Sequence, residues 1–385
     1  MNKTIILSGR IDSNNAGRIQ EEIFAELQAE KAPEAITVDA DALDYISSAG
    51  LRVLMKLRKD TGIVPSIVNA SDEVYNIFET TGFTEMFDVQ KKLREISVEG
   101  CKLIGQGANG KVYRLDEDKI VKLYDYIGLD MVKREKENVR KVLASGVPCV
   151  IPYDVVKSGD KYGLVFEMLD CDTLGHIFAE NPDRFDELSD KYVQLAKALH
   201  SVHIGDGSIR NIKTTMRENL DVLREWCTDE EVSIMAEVEE RIPMRDILLH
   251  NDLHPGNIMV QDGEFLLIDM ADMMIGPEIF DMASTFRMLA VMPKMNREVT
   301  EQVMGMPADM IGRLCDSFFT GYTGIADPAK MGEYMGKLNI AFAINSMIML
   351  SLRHPIVTVR AQWAVDYFLH KTIIPNMDRI PALFE

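Results

Sequence analysis

A Pro/Gly-containing loop in this chain carries polar residues suited to phosphoryl transfer. Residues 249–259 read L-H-N-D-L-H-P-G-N-I-M, and a later apolar run ends at Asp269. Asp252 and Asn257 are five residues apart, and Asp269 follows Asn257 by twelve. Phosphoryl transfer needs a carboxylate that orients the attacking hydroxyl and accepts its proton, and it needs oxygen ligands for Mg²⁺. Asp252 suits the first role, and Asn257 and Asp269 suit the second.

Two other interpretations of this loop are open from its residues alone. A Pro/Gly loop with Asx-type turns needs no catalytic function. A metal hydrolase could use His250, Asp252 and His254 as ligands. Histidine ligands explain neither Asn257 nor the glycine-rich segment and the lysine upstream, so we favour phosphoryl transfer.

The glycine-rich segment, residues 105–112, fits the pattern G-x-G-x-x-G-x-V between two strand-like runs. Gly105, Gly107 and Gly110 let backbone N–H groups approach phosphate oxygens, which a Cβ would obstruct. Residues 111–115 predict a strand after the glycines, whereas a dinucleotide-binding Rossmann unit continues into a helix. The pattern therefore favours a phosphate-covering hairpin, and a hairpin turn without any ligand is the alternative.

Lys122 lies in a strand-like apolar run, residues 120–124. A lysine between strand hydrophobes either faces solvent or has a negative partner. On the helix predicted at residues 128–144, Glu135 falls on the apolar face and Glu137 does not. We therefore predict an ion pair between Lys122 and Glu135, which is the arrangement that holds a strand lysine against nucleotide phosphates.

Together these motifs resemble the protein-kinase-like superfamily, specifically its aminoglycoside phosphotransferase and choline kinase branch. H-N-D-L-H-P-G-N-I-M and L-L-I-D are similar to the catalytic and metal motifs of that branch. Residues 276–283 are similar to its later segment, in which an aspartate, here Asp281, supports the catalytic loop. The resemblance covers about residues 97–375.

This resemblance implies a two-lobed kinase-like fold that uses ATP and Mg²⁺. It implies a hinge that runs from Glu167 to Leu169 and whose backbone contacts adenine. Residues 288–371 would complete a pocket for the acceptor, which is implied to be a hydroxyl of a small molecule. The sequence does not identify that molecule.

A second family resemblance covers the N-terminal residues. L-S-G-R-I-D at residues 7–12 and T-T-G-F at residues 80–83 are similar to the STAS domain of anti-sigma-factor antagonists. In that family the serine two positions before a glycine is phosphorylated, and here that serine is Ser48, two before Gly50. In an isolated segment, Ser47 or Ser48 would be read as an ordinary helix N-cap. The resemblance implies a regulatory or docking domain with a protein partner.

The elements that must position these motifs fall into two blocks. Over residues 1–90 strand-like runs alternate with helical patterns, which predicts a small α/β domain on a mixed sheet. Residues 88–99 are polar and predict a linker or a connecting helix. We predict a multidomain chain of α/β and α+β class with four parts: a STAS-like domain at 1–92, a linker at 93–99, a kinase-like N-lobe at 100–170, and a helical C-lobe with the catalytic loop and acceptor subdomain at 171–385.

Composition excludes several classes of function. The chain has 42 basic and 61 acidic residues and a net charge of −19, which disfavours nucleic acid as a partner. Its five cysteines form no C-x-x-C pair, which indicates free thiols in a reducing cytosol and no zinc site. No apolar run reaches the roughly 20 residues of a membrane span. We therefore expect a cytoplasmic protein with no membrane association.

Three functional hypotheses follow from these features. The leading one is an ATP- and Mg²⁺-dependent phosphotransferase for a small hydroxylated molecule, with the STAS domain as regulator or docking unit. The second is a signalling protein kinase that phosphorylates Ser48 or the STAS domain of a partner. A nucleotide-binding scaffold without turnover ranks last, because all the catalytic residues are present.

Overall fold

Two units divide the chain, Met1–Ile96 and Ser97–Glu385. The structure is a computed structural model, and it describes residues 2–28, 33–107, 110–125, 127–353 and 355–385. The domain boundaries expected at residues 92, 99 and 170 stay predictions.

The first unit is built on a four-stranded sheet. Its elements are β1 (Asn2–Ile11), α1 (Ala16–Gln28), β2 (Ala35–Ile46), α2 (Ser48–Thr61), β3 (Ser66–Ala70), α3 (Asp72–Thr80) and β4 (Asp88–Lys91). The strands lie in the order β1-β2-β3-β4, and each neighbouring pair is parallel. The prediction of a mixed sheet is therefore wrong. One helix follows each of the first three strands, and such a crossover returns the chain in the same direction.

The prediction of a linker or helix over residues 88–99 is wrong at its start. Asp88–Lys91 is strand β4, in which Val89 pairs with Ile67 of β3. Arg94–Glu95 is a further two-residue strand, β5. Because β4 is an edge strand, its side chains are exposed or only half-buried, and polar residues there hide the alternation that reveals a strand.

The second unit begins with an antiparallel sheet. Its elements are β6 (Leu103–Gly107), β7 (Gly110–Arg114), β8 (Lys119–Tyr124), α4 (Leu129–Ala144), β9 (Pro152–Ser158) and β10 (Lys161–Glu167). Strands run in the order β9-β10-β8-β7-β6. Helix α4 packs on this sheet with Val132, Glu135, Val139 and Val142 on its buried face.

The rest of the second unit is mostly helical. Its elements are β11 (Asp172–Thr173), α5 (Leu174–Glu180), α6 (Phe185–His200), α7 (Ile212–Asn219), α8 (Asp229–Arg241), β12 (Leu248–Leu249), β13 (Ile258–Gln261), β14 (Glu264–Leu267), β15 (Met274–Ile275), α9 (Ile279–Phe286), α10 (Met292–Met295), α11 (Arg297–Met304), α12 (Ala308–Thr323), α13 (Pro328–Ser351), α14 (Pro355–Thr358) and α15 (Ala361–Ala364). The segments Arg287–Val291 and Val365–Ile373 are π-helical. Helix α13 lies in the core, with Ile344 and Met347 fully buried.

Two expectations from composition can be compared with this fold. All five cysteines are free thiols, as predicted. Among the described residues, no helix combines the length and the apolar character needed to cross a membrane.

Candidate active site

Residues 250–257, called the catalytic loop below, connect β12 to β13. Strand β12 is buried and pairs with β15, which fixes the start of the loop. At its other end the loop leads into the β13–β14 hairpin. The pairing of these strands extends to the last residue of the loop, because the N–H of Ile268 donates to the carbonyl oxygen of Asn257 at 3.0 Å. The hairpin therefore sets Asn257 opposite Ile268, the residue that precedes Asp269, so the backbones at the two predicted metal ligands are adjacent.

The carboxylate of Asp281, on α9, stabilises the backbone at the start of the catalytic loop. It is fully buried and accepts the backbone N–H groups of His250 at 3.1 Å and Asn251 at 2.7 Å. Its Oδ2 also lies 2.9 Å from Nε2 of His200. Asn251 has a φ of 64°, a left-handed conformation in which asparagine is more common than most residues other than glycine. The supporting contact that the family resemblance implied for Asp281 is therefore present.

Both carboxylate oxygens of Asp252 have polar neighbours. Arg287 Nη2 donates to Oδ1 at 3.0 Å, and Asn257 Nδ2 donates to Oδ2 at 3.1 Å and to the backbone oxygen at 2.9 Å. His254 Nε2 lies 3.5 Å from Oδ2. Burial disfavours the ionised carboxyl, but the charge and hydrogen bond of His254 and the charge of Arg287 outweigh it and hold the pKa of Asp252 well below its usual range. Asp252 is thus an ionised hydrogen-bond acceptor.

Lys122 forms ion pairs with two acidic residues, Asp269 and Glu135. Its Nζ lies 2.5 Å from Oδ1 of Asp269 and 3.5 Å from Oε1 of Glu135, and the hydroxyl of Tyr124 donates to Oε2 of Glu135 at 2.6 Å. Burial disfavours the ammonium, but Asp269 and Glu135 outweigh it and raise the pKa of Lys122 above its ordinary value. Burial also raises the pKa of Glu135. The predicted ion pair is present, and Asp269 is a nearer partner that the sequence did not indicate.

The residues Asn257 and Asp269 fit a Mg²⁺ ion. The amide nitrogen of Asn257 is engaged by Asp252, whereas Oδ1 of Asn257 and Oδ2 of Asp269 accept no hydrogen bond within the described residues. Mg²⁺ prefers oxygen ligands and is commonly held by one or two side chains together with substrate phosphates and water. Two side-chain oxygens on adjacent backbone segments are the set that such a site requires.

The contacts of His250 argue against the alternative of a metal hydrolase with histidine ligands. Nδ1 of His250 accepts the N–H of Asp252 at 3.3 Å, and Nε2 lies 3.0 Å from the carbonyl oxygen of Ile268. A ring with both nitrogens engaged offers no lone pair to a metal. In the part of the chain that the structure describes, no group of three or more His, Cys, Asp or Glu side chains is arranged to hold a metal ion.

The predicted phosphate-binding glycines lie in the β6–β7 hairpin, whose tip, Ala108 and Asn109, is outside the described residues. A Cβ on Gly110 would collide with the backbone of β8, so strand packing alone requires this glycine. A Cβ on Gly107 would meet nothing within 4 Å, and one on Gly105 would only touch Val112. The space beside the first two glycines is therefore open.

Strand β7, the second strand of this hairpin, pairs with β8, which carries the predicted lysine. Val112 of β7 pairs with Lys122 of β8, so the glycine hairpin and the lysine lie on adjacent strands.

The predicted hinge follows β10. The N–H of Glu167 donates to the carbonyl oxygen of Ile151 at 3.1 Å, and that of Met168 donates to Asp118 at 2.8 Å. Oε1 of Glu167 accepts the N–H of Ile151 at 2.7 Å, so this side chain is structural. The N–H of Leu169 makes no hydrogen bond within the described residues, which leaves it available to a ligand.

In the first unit, Ser47 and Ser48 have different roles at the start of α2. Ser47 is the N-cap, and its Oγ accepts the N–H groups of Ala49 at 3.2 Å and Gly50 at 3.5 Å. Ser48 is exposed, and within the described residues its hydroxyl makes no hydrogen bond. Of the two serines that could have capped the helix, Ser47 does so and Ser48 stays accessible.

Arg287 is the active-site residue that sequence reasoning missed. It is the only basic residue among residues 279–293, which are mostly apolar. An arginine in such a helical stretch needs an acidic partner, and that signal could have identified it. Its partner, Asp252, is 35 residues away in the sequence.

Two family models match the chain. The phosphotransferase enzyme family matches residues 100–303, and the STAS domain matches residues 3–96. Both resemblances drawn from the sequence are thereby confirmed. Over 86 residues the chain is 35% identical to BtrV of Bordetella bronchiseptica, whose name gives it a proposed role as an anti-sigma factor antagonist. That alignment covers 22% of this chain and 72% of BtrV.

Several solved structures are similar to the chain at low identity. The ADP-bound aminoglycoside phosphotransferase APH(2'')-Ib has 17% identity and a TM-score of 0.44, over 80% of this chain and 98% of that one. The gentamicin complex of APH(2'')-IIa has 16% identity and a TM-score of 0.44, over 76% and 95% of the two chains. A choline/ethanolamine kinase family protein from Mesorhizobium loti has 16% identity and a TM-score of 0.41, over 74% and 92%.

Proposed function

Because the chain belongs to the phosphotransferase enzyme family and carries a STAS domain, we propose that it transfers the γ-phosphoryl group of ATP to a hydroxyl of a small molecule. Its enzyme class is a kinase-type phosphotransferase with an alcohol group as acceptor. The observation that supports the proposal most strongly is the β13–β14 hairpin. It pairs Asn257 with Ile268, the residue before Asp269, and the side chain of Asn257 in turn donates to Asp252.

In this proposal Asp252 accepts a hydrogen bond from the acceptor hydroxyl and then accepts its proton. Its ionised carboxylate orients that hydroxyl toward the γ-phosphorus, and its low pKa makes it a weak base. A weak base suits a loose transition state, in which the hydroxyl loses its proton late. Arg287 and Asn257 fix the carboxylate so that one geometry is available to the acceptor.

Lys122 would contact the nucleotide phosphates, and Glu135 would hold it in place. Glu135 is buried on α4 and the side chain of Lys122 is largely buried beside it, which limits the motion of the ammonium group. Asn257 and Asp269 would hold Mg²⁺, which when bound neutralises charge on the phosphates. The N–H of Leu169, which makes no hydrogen bond to the described residues, would donate to adenine, and the amides near Gly105 and Gly107 would cover the phosphates.

The STAS domain would act as a docking or regulatory unit for a protein partner. This role rests on the identity with BtrV and on the exposed position of Ser48. Phosphorylation of Ser48 would add roughly −2 charge at the first residue of α2. The free N–H groups and dipole at this helix end favour an anion, so the modification would change the binding surface and leave the helix intact.

The experiment that tests the catalytic proposal is a screen for acceptor-dependent ADP release by the full chain. Sugars, amino alcohols and aminoglycosides serve as acceptors, each with Mg²⁺ and with a chelator. We expect one acceptor class to release ADP, with release lost in chelator and restored by excess Mg²⁺. If ADP release with every acceptor equals the acceptor-free rate, the small-molecule assignment is wrong.

A second candidate is a protein kinase that phosphorylates a STAS serine. The accessible hydroxyl of Ser48, in the same chain as a phosphotransferase unit, favours it. Incubation with labelled ATP and mapping by mass spectrometry tests this candidate, with Ser48→Ala and Ser47→Ala as matched variants. Label lost only in Ser48→Ala supports it. Absence of label from the chain and from added STAS proteins contradicts it.

A further inference from the structure

A cavity of about 780 Å³ lies in the second unit, away from the active-site residues named above. Its walls come from α4, from the loop before α7, from the loop after α8 and from β15. Three arginines line it, one from each of the first three elements: Arg134, Arg210 and Arg245. The cavity is therefore a place where distant segments of the chain bring positive charge together.

These three arginines lack the partners that other arginines of the unit have. Residues 97–385 contain fifteen arginines, and eleven of them form a side-chain hydrogen bond or ion pair. Within the described residues, the four that form none are Arg134, Arg210, Arg245 and Arg360. Three of the four line one cavity, although the chain as a whole is acidic.

The acidic groups at the cavity do not neutralise this cluster. Asp246 is paired with His203 at 2.7 Å. Glu218 attracts Arg210, but burial and then the positive charge of Arg134 act more strongly and lower the pKa of Arg210. Arg210 thus faces a like charge, an arrangement that an anion bound between the two guanidinium groups would relieve.

The remaining polar groups at the cavity also suit an anion. Helix α7 begins there, with its N-cap Asn211 and Thr214 in the wall. The N-terminus of a helix carries partial positive charge and free N–H groups. Guanidinium groups present paired N–H donors that match phosphate oxygens.

We propose that this cavity is a binding site for a phosphate monoester, held by Arg134, Arg210 and Arg245. The volume exceeds that of a phosphate ion and accommodates the organic part of an ester. The site is separate from the proposed transfer reaction, because Lys122, Asp252 and Asp269 do not line it. Its ester can come from a small molecule or from a phosphorylated serine.

Calorimetric titration of the full chain tests the site. No nucleotide is added, because ADP is itself a phosphate ester and would compete for the cavity, and binding in the nucleotide pocket is recognised because the cavity variants leave it unchanged. The probes are phenyl phosphate and a phosphoserine peptide with the sequence of residues 43–53. We expect saturable binding that Arg210→Gln weakens by about tenfold or more, because a charged hydrogen bond contributes about 1.5–3 kcal/mol.

Arg360→Gln is the matched control, since Arg360 also lacks a partner within the described residues but does not line the cavity. Arg134→Gln and Arg245→Gln provide further tests if Arg210→Gln fails to fold. Tighter binding of the peptide identifies a phosphoserine source, and tighter binding of phenyl phosphate identifies a small ester. Equal affinity in wild type and all three cavity variants, or binding of neither probe, overturns the proposal.

Discussion

The start of α2 in the first unit, at Ser47 and Ser48, and the catalytic loop of the second unit both place polar side chains just after a strand. At Ser48 a single side chain, Ser47, secures the backbone, and the neighbouring hydroxyl is exposed. In the catalytic loop, Asp281 fixes the backbone and Arg287 and Asn257 fix Asp252. A reacting carboxylate needs a fixed position, whereas a residue that is modified or docked needs access.

Asp252→Asn is expected to have the largest effect. Removing the charge of a general acid–base group lowers turnover by about 10²–10⁴-fold. Asparagine keeps the shape of the side chain, so Mg²⁺-ADP binding is expected to change little, whereas loss of the charge that Arg287 contacts should lower the melting temperature at neutral pH. Acceptor-dependent ADP release gives the rate, and Asp262→Asn, an exposed aspartate at the turn of the β13–β14 hairpin, is the control. Normal turnover in Asp252→Asn would place the catalytic carboxylate elsewhere.

Asp281→Ala is expected to be the most destabilising change. It leaves the buried N–H groups of His250 and Asn251 without an acceptor, and each such group costs about 1–3 kcal/mol. Urea unfolding monitored by Trp226 and Trp363, which both lie in the second unit, measures the loss. For the exposed Asp183→Ala we expect a change within about 0.5 kcal/mol. Equal unfolding curves for the two variants would show that the hydrogen bonds from His250 and Asn251 to Asp281 do not stabilise the fold.

Asp269→Ala is expected to remove the stabilisation by Mg²⁺-nucleotide. At ligand concentrations about 100-fold above Kd, bound ligand adds about 2.7 kcal/mol to the free energy of unfolding. Melting temperatures with ADP, with and without Mg²⁺, measure this term, and Asp262→Ala is the control. An undiminished Mg²⁺-dependent shift in Asp269→Ala would exclude Asp269 as a metal ligand.

The low pKa of Asp252 predicts a dependence of stability on pH. A carboxyl whose pKa is lower in the folded than in the unfolded state stabilises the fold above its unfolded pKa, about 3.9 for aspartate. That contribution is lost as pH falls through the folded pKa. The difference in unfolding free energy between wild type and Asp252→Asn should therefore shrink below about pH 4. A difference that grows as pH falls would mean that the pKa of Asp252 is raised.

The smallest effects are expected at the two serines. Ser47→Ala removes the N-cap of α2 and should cost about 1 kcal/mol. Ser48→Ala removes an exposed hydroxyl and should change stability by less than about 0.5 kcal/mol. Hydrogen exchange of the α2 amides in the full chain measures both. Faster exchange in Ser48→Ala than in Ser47→Ala would reverse the assigned roles.

Local patterns were enough to predict much of this molecule. The run around Lys122 predicted β8, and the apolar face of the next helix identified Glu135 as its partner. By contrast, β4 was predicted as part of a linker or a connecting helix, because an edge strand with polar side chains carries no burial pattern. The sheet of the first unit was predicted as mixed, since strand direction depends on pairing and not on local sequence.

By itself the sequence determined the residue types, their spacing and the two families, because these are properties of short contiguous segments. Only the tertiary structure decided that Lys122 contacts Asp269, which is 147 residues away, and that Arg287 holds Asp252. It alone brought to one cavity three arginines whose side chains form no hydrogen bond or ion pair within the described residues. The physical reason is that charged side chains choose partners by distance in the folded chain, and packing of the apolar elements sets those distances.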